Sequence, residues 1–138
     1  MKFSIESKQG HARAGSLSVN NKTIDTPAFM TIGTYGSVKT MDTYDLKKCN
    51  VEIILSNAFH LMLRPGTNLI EKVGGLHQLM NWDGLILTDS GGYQVFSLGK
   101  DVKISKKGAE FRSPFNGDKV FMSPEISIDV QTKINTDI

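Results

Sequence analysis

The spacing of apolar and polar positions changes period along the chain, and each change marks a different kind of structure. In the first 25 residues the period is two: Ser16-Leu17-Ser18-Val19 alternates, and Asn20-Asn21-Lys22 supplies a turn before Thr23-Ile24. That pattern predicts antiparallel β structure. Thr26-Pro27 breaks it, because proline cannot donate to a ladder and restricts the residue before it. Ala28-Phe29-Met30-Thr31-Ile32 then reads as a short buried strand running into the loop Gly33-Thr34-Tyr35-Gly36.

Beyond that loop, helical and extended patterns take turns. Asp42 is placed to cap a short helix through Lys48, with Tyr44 and Leu46 partly apolar. Val51-Glu52-Ile53-Ile54-Leu55 is short and rich in β-branched residues, as buried strands are. Thr67 is placed to cap a helix over 68–73 whose stripe is Leu69, Ile70 and Val73. Gly74-Gly75 ends it, and Leu76-His77-Gln78-Leu79-Met80 forms another helical piece before the strand Leu85-Ile86-Leu87-Thr88. Such alternation predicts an α/β fold with a parallel sheet and right-handed crossovers.

From Asp101 the pattern changes again: Val102 and Ile104 alternate with lysines, Lys106-Lys107-Gly108 turns, and Ala109 to Arg112 returns as a hairpin. Asn116-Gly117-Asp118 is another turn, leading into Val120-Phe121-Met122. Ser123-Pro124-Glu125 combines a capping hydroxyl, a proline at the first helical position and an acid in the first turn. Ile126, Val130 and Ile134 give that helix its buried face, and Asn135-Thr136-Asp137-Ile138 reads as the opening of a fourth strand.

Composition narrows the class. A chain of 138 residues, 39% hydrophobic and 22% charged, suits a folded domain and excludes wholesale disorder. The net charge of +2 is too small to argue for nucleic acid. Cys49 is the single cysteine, so a disulfide framework and a Cys-rich zinc site are excluded within the chain; it reads as a small core residue. The start, Met1-Lys2-Phe3-Ser4-Ile5-Glu6, lacks the apolar core of a signal peptide, and no apolar stretch approaches membrane-spanning length. The expectation is a cytoplasmic protein with no membrane partner. Trp82 and the six methionines read as packing, with Trp82 bracing the third strand.

Chemistry concentrates after the strands. Asp89-Ser90-Gly91-Gly92-Tyr93 follows Leu85-Ile86-Leu87-Thr88, at the end of the strand where parallel sheets put their sites. Gly91 and Gly92 let backbone approach a ligand, Tyr93 offers a face for stacking, and Asp89 can accept the N1–H and 2-amino donors of a guanine-like edge. Equally, Asp89 can cap the next segment while the glycines make a turn. Asn57 either orients Asp89 or makes a loop hydrogen bond. His60 is read as packed and partly buried, and Arg64-Pro65-Gly66 as a structural corner. The loop over 33–39 lacks the Gly-Lys-Ser/Thr ending of a phosphate-binding loop. Lys103, Lys106, Lys107, Arg112 and Lys119, with Phe111 and Phe115 among them, form either an RNA-touching surface or a solvated sheet face.

Four ordered motifs carry a resemblance. Thr26-Pro27-Ala28-Phe29-Met30, Gly33-Thr34-Tyr35-Gly36-Ser37-Val38-Lys39, Asn57-Ala58-Phe59-His60-Leu61 with Arg64-Pro65-Gly66, and Leu87-Thr88-Asp89-Ser90-Gly91-Gly92-Tyr93-Gln94-Val95-Phe96-Ser97-Leu98 resemble the tRNA-guanine transglycosylases, in their bacterial queuine tRNA-ribosyltransferase branch. Phe111-Arg112-Ser113-Pro114 and Ser123-Pro124-Glu125 follow in the expected order. The resemblance implies a (β/α)8 TIM barrel preceded by an antiparallel sheet, here a segment 1–25 and then an incomplete barrel over 26–138. It implies Asp89 as the catalytic, base-binding aspartate, Ser90, Gly91 and Gly92 as its pocket loop, and Tyr93 as the stacking ring. Asn57 would support the pocket while Leu55 and Ile32 form apolar wall, the bulk of Ile32 suiting preQ1 better than queuine. Ala58 departs from the threonine usual after that asparagine.

The implied reaction exchanges the wobble guanine of tRNA for a queuosine-precursor base through a covalent ribosyl-enzyme. The family's nucleophilic aspartate and its zinc ligands have no counterpart here, so the chain is expected to be the amino-terminal portion of a homodimeric parent that carries the zinc elsewhere. The other reading is a non-catalytic base-binding or partner-subunit module. The 138-residue polypeptide alone is expected not to exchange base; incorporation of labelled guanine into tRNA by this chain by itself is the measurement that checks it.

Overall fold

The two-residue period of the first segment folds into three antiparallel strands, β1 (Lys2–Gln9), β2 (Ala12–Val19) and β3 (Lys22–Thr26), paired in that order. Val19 pairs with Lys22 across the turn, and Asn20 takes the positive φ of 53° that asparagine tolerates. The computed structural model describes residues 1–99 and 102–138, so the pattern change at Asp101 lies outside the described residues.

A second sheet is parallel, in the order β4 (Thr31–Ile32), β5 (Ile53–Ser56) and β6 (Leu85–Thr88). Its strands alternate sides, and the two sides meet different partners. Ile54 and Ile86 face the helices: α1 (Thr43–Lys48), α2 (Ala58–Leu63), α3 (Thr67–Lys72), α4 (Leu76–Met80) and the later α6 (Pro124–Ile134). There Leu46, Leu61, Ile70, Leu76, Val130 and Ile134 close the main core. On the other side Ile53 and Leu85, the first residues of β5 and β6, pack with Val19 and Ile24. The antiparallel sheet thereby covers the end of the parallel sheet at which β5 and β6 begin.

After β6 come α5 (Gly92–Ser97) and a third sheet, β7 (Lys103–Ser105), β8 (Gly108–Arg112) and β9 (Lys119–Met122), antiparallel in chain order. Phe111 and Met122 from this sheet share a core with Phe59 and Val95. Ser123 caps α6 by accepting from Ile126 N at 3.2 Å, as its sequence predicts. The segment after α6 runs along β6: Asp137 N donates to Ile86 O at 3.0 Å, and Ile138 O accepts from Thr88 N at 2.9 Å. Asp137 also accepts from Ile86 N and from His77 Nε2, both at 2.9 Å, which ties the segment to α4. Trp82 braces β6 as expected, its buried indole N–H donating to Leu85 O at 3.2 Å.

Several expectations fail for identifiable reasons. The buried strand over 28–32 shrinks to Thr31–Ile32, with Phe29 81% and Ile32 58% exposed, because β4 pairs only with β5 and nothing described covers its other side. Thr67 is the first residue of α3, not its cap; Gly66 holds that position without a side-chain bond. A six-residue helix turns only Ile70 fully inward, leaving Leu69 and Val73 exposed. Cys49 is exposed, because it ends α1 where Asn50 turns the chain away through a positive φ.

Two outcomes follow from this packing. Ile54→Ala is expected to cost about 2–5 kcal/mol in a denaturant titration, since the fully buried side chain is enclosed by the helices of the main core. Ser123→Ala is expected to cost about 1 kcal/mol. Ser123 Oγ also donates to Glu125 at 2.6 Å and holds that carboxyl below the ordinary carboxylate range. The contribution of the bond to Glu125 is therefore present at neutral pH and lost as pH falls through the depressed value; the Ser123→Ala variant should show a weaker acid dependence in pH-resolved melting curves.

Candidate functional site

The parallel register sets Ser56 opposite Thr88, so β5 and β6 end side by side and the segments after them meet. Asn57 follows β5 as the N-cap position of α2, and Asp89 follows β6. Asp89 Oδ2 accepts from Asn57 Nδ2 at 2.5 Å and from Gln94 Nε2 at 2.6 Å, while Oδ1 accepts from the Ala58 backbone N at 3.0 Å. All three neighbours donate, and both carboxylate oxygens act as acceptors. The Ala58 N–H is one of the donors that a helix start leaves unpaired, and the Asn57 side chain makes no cap bond of its own.

These bonds separate the alternatives left open by the sequence. Asp89 does not cap the segment after it: the N-cap of α5 is Gly91, without a side-chain bond. Asn57 binds Asp89 directly. Gly91 has φ of 77°, and a Cβ there would lie 2.9 Å from Met122 Cε and 3.0 Å from Phe59 Cβ, so the loop needs glycine for space as well as conformation. Gly92 opens α5 on the exposed side, and the Ser90 carbonyl accepts from Ser127 Oγ at 2.8 Å, anchoring the loop to α6.

The apolar candidates sit just below the polar ones. Ile32 pairs with Leu55 and Leu55 with Leu87, giving a row across the three strands. By strand alternation Asn57 and Asp89 continue the side on which Leu55 and Leu87 lie. Tyr93 stands in the first turn of α5 with 78% of its surface in solvent, so its ring is free and covers nothing. His60 packs edge-on to Tyr35 and Phe59, with ring centroids 5.0 and 5.2 Å away, and none of the bonds to Asp89 comes from it. Arg64 is the C-cap of α2 and makes the expected corner.

Gln94 is the residue that reading the sequence missed as a site residue. It lies five residues past Asp89, and one turn of α5 brings its amide back onto the carboxylate. The available signal was an amide one turn into the element after an acidic loop. The donor set does not fit zinc: among the described residues no three His, Cys, Asp or Glu side chains come together, and Cys49 stands apart on α1. No helix among them is long and apolar enough to cross a membrane.

A family model described as TGT, queuine tRNA-ribosyltransferase, matches residues 7–138. The chain belongs to this family. Over its whole length it is 54% identical to the queuine tRNA-ribosyltransferase of Herminiimonas arsenicoxydans, covering 37% of that protein. It is 52% identical to that of Neisseria meningitidis serogroup C, covering 37%, and 55% identical to that of Francisella tularensis subsp. novicida, covering 38%. The chain thus spans little more than a third of the length of these curated relatives. In this queuine tRNA-ribosyltransferase family chain, Asp89 and its three donors are supplied by two strand ends and one turn of helix, and Gly91 keeps them in register. Gly91→Ala is expected to destabilise by about 1–3 kcal/mol through overpacking and the positive φ, read by thermal unfolding.

Proposed function

We propose that this chain supplies the base-recognition portion of a tRNA-guanine transglycosylase, with Asp89 as the group that binds the exchanged base and takes part in proton transfer. One observation carries the reading: a carboxylate at the end of a parallel strand, held in place by Asn57, Ala58 N and Gln94. A fixed anion with lone pairs still open suits the adjacent N1–H and 2-amino donors of guanine or of a 7-deazaguanine such as preQ1. Ser90, Gly91 and Gly92 form the loop around that edge, Tyr93 stacks on the ring plane, and Ile32 and Leu55 make the wall beneath.

In the complete enzyme a carboxylate attacks ribose C1′, the bond from C1′ to the guanine nitrogen breaks, and the departing base gains a proton. Asp89 orients the departing base through its N1–H and 2-amino donors while solvent supplies that proton, and its carboxylate accepts the proton that the incoming base gives up and passes it to solvent. The incoming base then loses a proton and displaces the enzyme from C1′, which splits one hard substitution into two. The nucleophile and the zinc ligands belong outside these residues. Parallel strands laid in chain order, with the segment at 137–138 bonded along β6, support the first part of a (β/α)8 barrel, over 26–138 after a β segment at 1–25. The tRNA substrate, the homodimer and the cytoplasmic location belong to this same reading.

Calorimetric titration of preQ1 and of guanine into the chain tests the pocket. Asp89→Ala is expected to weaken binding by about tenfold to a hundredfold, as the loss of hydrogen bonds to a charged acceptor requires. Equal affinity of wild type and variant rejects the assignment.

A further inference from the structure

The near-neutral charge of the chain hides a separation. Five of the sixteen Lys and Arg, and two of the fourteen Asp and Glu, lie in residues 102–122; this stretch carries +3 and the rest of the chain −1. The stretch is the third sheet. Alternation puts Phe111 and Met122 inward and leaves Lys103, Arg112, Lys119 and Phe121 exposed on the outer face. Register arranges them in two rows: Lys103, Glu110 and Phe121 lie opposite one another across the three strands, and Arg112 lies opposite Lys119. A hollow of about 200 Å³ opens among Lys103, Glu110, Phe111, Arg112 and Lys119. Lys106 and Lys107 stand at the turn beside it.

The cations on this face are available. None of the five takes part in the ion pairs found among the described residues, which join Lys22 and His77 to Asp137, Lys47 to Asp83, and Lys133 to Asp129. Arg112 is held by one bond, Nη1 to Gly117 O at 2.9 Å, which leaves most of its fork of donors outward. Of the two acids, Asp118 is drawn into the β8–β9 loop by Asn116 Nδ2 at 2.6 Å, and Glu110 alone faces the hollow. The inner face of the same sheet packs on Phe59, 5.4 Å ring to ring through Phe111, and presses Met122 under Gly91. The basic face and the Asp89 loop are therefore parts of one packed unit.

We propose that the outer face of β7–β8–β9 is an RNA-backbone docking surface, with Lys103, Arg112 and Lys119 engaging phosphates and Phe121 lying against a sugar or base. Charge complementarity selects a polyanion: spaced cations in rows, a shallow hollow and an exposed ring suit a phosphate chain. The inference rests on the reading that the substrate is tRNA, and it adds where this chain meets the backbone.

The test is fluorescence anisotropy of a labelled anticodon stem-loop RNA with the 138-residue chain across a salt series, beside titration of preQ1 into the same proteins. Each phosphate engaged contributes about −0.7 to −0.9 to the slope of log K against log salt, so Lys103→Gln/Arg112→Gln/Lys119→Gln should flatten the slope by about 2 to 3 and weaken binding at low salt by about tenfold or more. Lys119→Gln alone should flatten it by about 1, which keeps the inference testable if the triple variant is poorly folded. Unchanged affinity and slope in the variants overturn the proposal, as does binding to phosphatidylserine vesicles without binding to RNA. The preQ1 titration separates the two readings: no preQ1 binding by the wild-type chain beside lysine-dependent RNA binding fails the Asp89 assignment and leaves this one standing, and preQ1 binding without lysine-dependent RNA binding fails only this one.

Discussion

The parallel pairing of β5 with β6 is the constraint on which the rest depends. Four residues of each strand in register, Ile53 with Leu85 through Ser56 with Thr88, decide three things at once. They send Ile54 and Ile86 into the helical core, and they set Ile53 and Leu85 against the antiparallel sheet. They also end the two strands together, so that Asn57 and Asp89 emerge as neighbours. A shift of one residue would exchange the two faces and separate the carboxylate from Asn57 and the Ala58 N–H.

From that shared end the site is assembled by short-range means. Asp89 satisfies the start of α2 from a neighbouring loop, and one turn of α5 returns Gln94 to the same oxygen. The loop is pinned from outside by Ser127 on α6 and from beneath by Met122 on β9. Elements later in the chain thus hold an earlier loop in place. The third sheet does this with its inner face while its outer face carries the excess positive charge of the whole chain. Packing and electrostatics are divided between the two sides of one small sheet, which is economical because strand alternation separates them without extra residues.

The burial pattern also shows where the chain has surface to give. Phe29, Ile32, Tyr93 and Phe96 are all exposed, and they lie beside the parallel sheet or on α5. The motifs at Thr26-Pro27-Ala28-Phe29-Met30 and at Asp89 to Leu98 contain three of these four residues. Conspicuous apolar positions in those motifs therefore point outward from the core described here, and core packing does not account for them.

Much of the molecule was written in local pattern. The hairpins, the strands at Ile53–Ser56 and Leu85–Thr88, the capped helix after Ser123 and the position of Asp89 past a strand end follow from period, turn residues and capping chemistry, which act within a few residues. What pattern could not decide was anything requiring two distant segments to meet. Ile32 and Phe29 look as apolar as Ile54, and only the absence of a described layer over β4 leaves them exposed. Cys49 resembles a core residue until the chain turns away at Asn50. Whether Asp89 caps its own helix or receives Asn57 and the Ala58 backbone N depends on the β5–β6 register, a contact between residues 31 or 32 apart along the chain. Which elements form, and which groups stand at their ends, can be read along the chain because those are local energies. Which ends touch, and which apolar faces are covered, emerges with the fold, because that is settled by the packing of segments far apart in the chain.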